Sequence, residues 1–189
     1  MGRSLNRFSL DKLHQGFVKA IESVYREQWY LFEHHLSEWT VSFQLYYYLR
    51  HRLCKALGSY SIDCEYNHMS GGDIDFLKKC IGDGQVVRPD IIIHRRGNPH
   101  WEDVEANYLW VELKLHGGKP FAADCKKLMG VTGGRVQGAP RVSGYRYGLG
   151  VLMTKTKIEC KWYESGMLKR SYFAKVKKSG KMIVWQVVN

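Results

Sequence analysis

Two short runs constrain this chain more than any other feature. Arg88-Pro89-Asp90-Ile91-Ile92-Ile93-His94 and Trp110-Val111-Glu112-Leu113-Lys114-Leu115 are apolar segments of strand-forming residues, and each carries an acid where burial disfavours one. Side chains alternate faces along a strand, so Glu112 and Lys114 point the same way. A carboxylate inside such a strand is costly unless something neutralises it. Two carboxylates and a lysine meeting on neighbouring strands form a donor set that a hard divalent cation with oxygen ligands satisfies. The pattern therefore points to a metal site of the hydrolytic kind.

The 189 residues suffice for one domain with a full hydrophobic core. With 44% hydrophobic residues the chain is expected to fold. It contains no apolar run of membrane-spanning length, and Met1–Asn6 lacks the apolar core of a signal peptide. Cys54, Cys64, Cys80, Cys125 and Cys160 are scattered with no CxxC pair, which argues against a disulfide framework and a zinc knuckle. The expectation is a reduced, cytoplasmic protein with no membrane partner.

The net charge of +11 is unevenly placed. Residues 1–116 hold 14 Lys/Arg and 15 Asp/Glu, whereas residues 117–189 hold 15 Lys/Arg and only 3 Asp/Glu. A basic last third suggests a polyanionic partner, most simply nucleic acid.

The periodicity predicts a helix over Ser9–His35, with Leu13, Phe17, Ile21, Val24 and Leu31 as its stripe. Ser37 reads as the N-cap of a second helix, which carries Glu38 in its first turn and ends at Gly58. Strands are predicted at Ser61–Tyr66, Pro89–His94, Tyr108–His116 and Tyr147–Thr156, with a short helix over Phe121–Val131. Residues 68–88 read as loop or a turn of helix. Ile158–Tyr163, Met167–Val176 and Met182–Val188 read as a meander turning at Glu164-Ser165-Gly166 and Lys178-Ser179-Gly180. The sum is a single mixed α/β domain: a helical extension over 1–36, a core over 37–156 and a basic β-meander over 157–189.

Glu38 on an early helix, Pro89-Asp90 opening one strand and Glu112-Leu113-Lys114 on the next resemble the PD-(D/E)XK nuclease superfamily, over roughly residues 37–156. That resemblance implies a restriction-endonuclease-like fold, a mixed sheet flanked by helices. It implies that Asp90 and Glu112, with the Leu113 carbonyl, hold Mg²⁺ or Mn²⁺. Lys114 would then polarise the attacking water, and Glu38 would be an auxiliary acid. The helix with Asp124, Lys126 and Lys127 also fits the layout. The expected activity is phosphodiester hydrolysis, most simply in DNA. A non-catalytic nucleic-acid-binding module on the same fold and an RNA-directed nuclease are the alternatives, and a homodimer stays open.

Backbone contacts to nucleic acid are expected from Lys119, Lys126, Lys127, Arg135, Arg141, Lys169, Arg170, Lys175, Lys177 and Lys178. Such contacts bind without reading sequence. The interleaved aromatics Trp162, Tyr163, Tyr172, Phe173 and Trp185 read mainly as core of the meander.

Overall fold

Ser9 starts helix α1 (Leu10–Glu27), its side chain accepting a hydrogen bond from the Lys12 N–H at 3.3 Å. In the computed structural model, which describes residues 9–65, 80–81, 85–86, 88–96, 106–133 and 144–188, Leu13, Phe17, Ala20, Ile21, Val24 and Tyr25 form the buried stripe of α1. The helix does not continue to His35. Gln28 leaves helical geometry, and a separate short helix α2 (Trp29–Glu33) follows. The break brings the Phe32 ring flat onto Tyr25 at 4.2 Å. On a continuous helix, seven positions correspond to about 10 Å of axial rise, too far for that stack.

Ser37 caps α3 (Glu38–Leu57) by accepting from the Thr40 N–H, and Gly58, with φ 62°, ends it. Four strands and a helix follow the order expected from sequence: β1 (Ser61–Cys64), β4 (Ile91–His94), β5 (Asn107–Lys114), α4 (Lys119–Thr132) and β6 (Tyr147–Met153). The strands are shorter than the sequence suggests. β1 stops where Glu65 adopts φ 54°, and β5 stops at Lys114, before His116. Between β1 and β4 a small hairpin, β2 (Cys80–Ile81) with β3 (Gln85–Val86), occupies part of the stretch read as loop. The chain closes with β7 (Lys157–Glu164), β8 (Met167–Lys177) and β9 (Met182–Val188). Their hairpins turn through Ser165-Gly166 and Lys178-Ser179-Gly180, all at positive φ.

Seven strands make one mixed sheet in the order β1-β4-β5-β6-β7-β8-β9. Only β5 and β6 pair in parallel, joined by the α4 crossover; every other neighbour is antiparallel. The meander therefore extends the sheet of the core. One face carries the main core, where Ile91, Ile93, Val111, Leu113, Leu149, Val151 and Trp162 meet the stripes of α1 and α3. The opposite face carries a smaller cluster of Ile92, Trp110, Leu128, Val131, Tyr145 and Tyr163 beneath α4.

Two glycines on β6 set how closely α4 lies on that second face. A Cβ on Gly148 would stand 3.2 Å from both Leu128 and Thr132, and one on Gly150 would stand 3.3 Å from Phe121. Glycine at these alternate positions permits the close approach. The register pairs Gly150 with Glu112 and Gly148 with Trp110, so the approach occurs beside the acids of β5. No helix among the described residues is long and apolar enough to cross a membrane.

Candidate functional site

Asp90 stands just before β4, outside its register with β5 (Ile91↔Val111, Ile92↔Trp110); its N–H donates to the Val111 carbonyl and its C=O accepts from the Glu65 N–H. It lies close enough to Glu112 for the two carboxylates to oppose each other's charge. Its side chain accepts a 2.6 Å hydrogen bond from the Leu113 N–H, just past the end of β4. A residue's N–H and C=O leave a strand on the same edge. The Leu113 carbonyl therefore points to the side where β4 has ended.

Glu112 is 3% exposed. Its Oε1 accepts from the Trp110 indole N–H at 2.6 Å and pairs with Lys127 Nζ of α4 at 2.9 Å. Lys127 also reaches Asp124 Oδ1, one helical turn earlier, at 3.0 Å. Lys114 Nζ donates to Glu38 Oε1 at 2.7 Å and lies 3.4 Å from Asp124 Oδ2. Glu38 Oε2 accepts from the Leu115 N–H at 3.3 Å, so this first-turn acid of α3 holds the end of β5 by two atoms. Four acids and two lysines from α3, β5, α4 and the approach to β4 converge at one end of the sheet.

The electrostatics of this group are unbalanced. Burial raises Asp90 to about 6; the Leu113 N–H and Lys114 oppose the rise, while Glu38 and Asp124 add to it. Burial likewise raises Glu112 to about 7, with Lys127 opposing and Asp90 adding. Lys114 goes the other way. Its burial favours the neutral amine, but Glu38, Asp124 and Asp90 outweigh that and hold it charged well above the usual lysine range. Lys127 is raised similarly by Glu112 and Asp124, against its burial. Asp124 Oδ2 is buried with no hydrogen-bond partner among the described residues, its contact with Lys114 lacking hydrogen-bond geometry. A buried carboxylate oxygen left in this way lacks a hydrogen bond that a further donor or a cation would supply.

The four residues read from sequence as the centre of the site, Glu38, Asp90, Glu112 and Lys114, stand together. Glu22, Glu27 and Glu33 bond elsewhere, to Trp185, to Tyr48 and Arg26, and to His34. The acids meet through the lysines. Among the described residues no three His, Cys, Asp or Glu side chains form a ready-made metal cage. The donor chemistry nonetheless suits a hard cation: carboxylate oxygens, raised pKa values and an orphaned buried oxygen.

Two members of the cluster escaped sequence reading as site groups. In the sequence Asp124 belongs only to the helix after the motif strand, and Lys127 is expected as a phosphate contact. Their i, i+3 spacing and the period-2 glycines of β6 were the available signals.

The remaining cations expected at nucleic acid are divided. Lys119, Lys126, Lys169, Lys175, Lys177 and Lys178 are exposed. Arg170 is tied to Asp11 of α1. Arg135 and Arg141 lie outside the described residues. Glu65, just past β1, pairs with Arg88 at 2.6 Å.

Models of known protein families, curated proteins and solved structures yield no match to this chain.

Proposed function

We propose that this chain is a metal-dependent nuclease of the PD-(D/E)XK type that hydrolyses phosphodiester bonds in DNA. One observation carries the reading: Asp90, just before β4, and Glu112 of β5 lie within each other's electrostatic reach, both with raised pKa values, and Lys114 and Glu38 stand beside them. The order α3–β1–β4–β5–α4–β6, with its single parallel pair across α4, supports a restriction-endonuclease-like fold.

Asp90 and Glu112 would hold Mg²⁺ or Mn²⁺, together with the Leu113 carbonyl. When bound, the ion lowers the pKa of its water and neutralises phosphate charge. Lys114, kept charged by Glu38 and Asp124, offers a fixed donor to charge developing on the phosphate, with little reorganisation during reaction. Glu38 fixes the tip of β5 by bonding both Lys114 and the Leu115 N–H, and so positions the lysine. Lys127 pairs with Glu112 at 2.9 Å and offsets part of its charge.

That last contact also favours a second reading, in which the cluster is a closed set of ion pairs in a non-catalytic nucleic-acid-binding module. The two separate on incubation of pure protein with plasmid, linear and single-stranded DNA and with RNA, in Mg²⁺, Mn²⁺ or EDTA. The nuclease reading requires nicking or linearisation of DNA in Mg²⁺ or Mn²⁺, its loss in EDTA, and its loss in Asp90→Asn protein. Binding without cleavage under every metal condition would favour the module.

A further inference from the structure

β8 carries two unlike surfaces. Towards α1, Arg170 bonds Asp11, the Tyr172 ring stacks on His14 at 3.5 Å, and Ala174 and Val176 are buried. Towards the α4 side it presents Ser171, Phe173, Lys175 and Lys177. The register sets Lys157 of β7 directly opposite Lys175, and Lys161 opposite Ser171. On β9, Val184 and Met182 lie opposite Lys175 and Lys177. α4 lies over β5, β6 and β7 and barely reaches β8, so this part of the face is open: Lys157, Lys175, Lys177, Met182 and Val184 are all exposed.

Its charge is one-sided. Among the described residues this face of β7–β9 holds Lys157, Lys161, Lys175 and Lys177 against one acid, Glu159, which is already paired with Lys161 at 2.8 Å. Like charges directly opposite on neighbouring strands destabilise a sheet. The Lys157–Lys175 pair accepts that penalty on an exposed surface, where a polyanion would remove it.

The position relative to the acid cluster gives the surface a direction. Lys114, Leu152, Glu159 and Phe173 form one row across β5, β6, β7 and β8. Lys157 and Lys175 lie one row further out, two and three strands from β5. At about 4.8 Å per strand that is about 10 and 14 Å to one side of Lys114. With a rise of about 3.4 Å per base pair, 14 Å corresponds to about four base pairs.

Resting on the nuclease reading above, we infer that duplex DNA lies across the strands of the open β7–β9 face. Its phosphates sit on Lys157, Lys175 and Lys177, and the bond to be cut lies about four base pairs away at Lys114. The track is asymmetric. It leaves the acid cluster on the β6 side only, and it excludes Arg170, which stands on the other face of β8.

The test is binding of a fluorescent DNA duplex to the full chain in EDTA, measured over a KCl series. The Lys157→Ala/Lys175→Ala/Lys177→Ala protein should lose about 2.7 from the slope of log K against log salt, at about 0.9 per phosphate contact. If the curves meet at about 1 M salt, that slope difference corresponds to about 500-fold weaker binding at about 0.1 M. The Lys157→Arg/Lys175→Arg/Lys177→Arg protein should keep the slope, which separates charge from folding. Arg170→Gln should bind within about twofold of the parent. An unchanged slope in the alanine triple, or an equal loss in Arg170→Gln, overturns the track. Cleavage by the parent protein in Mg²⁺ or Mn²⁺ is scored separately. Loss of the track with cleavage intact refutes this inference alone, and absence of cleavage with the track intact refutes the nuclease reading alone.

Discussion

Two groups of buried acids lie on the same face of the same sheet, and they are treated in opposite ways. At the β1–β4 end, Asp63 accepts from the Arg96 guanidinium through both oxygens, and its Oδ2 lies 2.7 Å from His94 Nε2. Burial would raise its pKa, but these partners outweigh burial and hold the carboxyl well below its usual range. At the far end of β4 and β5, Asp90 has one backbone N–H and stands among Glu38, Asp124 and Glu112, so burial wins and its pKa rises. Donor supply separates the two: Asp63 has a guanidinium and an imidazole, whereas Asp90 has a single backbone N–H with Lys114 nearby. A carboxylate that is fully paired adds stability; one left short of positive charge stays available for a ligand that supplies it. We read Asp63 as structural and the Asp90–Glu112 pair as functional on that basis.

The largest expected effect concerns activity. Asp90→Asn, Glu112→Gln or Lys114→Ala should each lower DNA cleavage by at least about a thousandfold, the scale of losing a group that stabilises transition-state charge. Duplex affinity in EDTA should change little. Asp63→Ala should leave the cleavage rate per folded molecule near the parent value, as measured with active protein titrated by DNA binding. A comparable loss of cleavage in Asp63→Ala would erase the distinction between the two groups.

Stability should reverse that ranking. Asp63→Ala removes a carboxylate that His94 and Arg96 both contact and should cost about 1–3 kcal/mol in urea unfolding. Asp90→Asn should raise stability at pH 8, because the amide oxygen can still accept from Leu113 while a disfavoured charge disappears. Asp90→Asn protein that melts below the parent at pH 8 would show the Asp90 charge to be well compensated.

The pH dependence should carry two opposite slopes. The depressed Asp63 contributes stability above the pKa of the unfolded chain, near 3.8, and loses it as the pH falls below about 4. Asp90 and Glu112, raised to about 6 and about 7, keep protons that the unfolded chain has already released between about pH 4 and 7. The native state then binds more protons than the unfolded state, so stability should fall as the pH rises through that window. Thermal melts from pH 3 to 8 should therefore peak between these limits. Added Mg²⁺ should lift the melting temperature chiefly on the alkaline side, where it binds ionised acids.

The smallest effect tests how α4 completes the site. Gly148→Ala sets a Cβ 3.2 Å from Leu128 and Thr132 and should cost about 1–2 kcal/mol by overpacking. Displacement of α4 would part Lys127 from Glu112 and Asp124 from Lys114, so cleavage should fall by more than the loss of folded protein accounts for. Full activity in a destabilised Gly148→Ala protein would detach α4 from the chemistry.

Much of this arrangement is legible in the sequence. Asp90, Glu112 and Lys114 announce themselves because acids inside aliphatic strands break a local rule, and such breaks gather at functional sites. Ser37 with Glu38 in the next position located the start of α3 through capping chemistry alone. Other features were hidden for identifiable reasons. The break at Gln28 depends on a ring stack between Tyr25 and Phe32, a tertiary contact that helical periodicity does not encode. Asp124 and Lys127 look like an ordinary exposed helix pair until Gly148 and Gly150 bring α4 down onto β5 and β6. Arg170 and Lys175 look equivalent in a basic strand. The register and α1 assign them to opposite faces.

The contrast between the two acid groups is tested most directly by carboxyl ¹³C NMR titration of Asp63, Asp90 and Glu112, with and without Mg²⁺. Without the ion we expect midpoints near 6 for Asp90 and near 7 for Glu112, with Asp63 still ionised at the lowest pH at which the fold survives. With Mg²⁺ the first two should drop below about 5 while Asp63 does not move, since a bound cation favours the charged form. Ordinary midpoints for Asp90 and Glu112, or midpoints that Mg²⁺ leaves in place, would contradict a cation site at this end of the sheet.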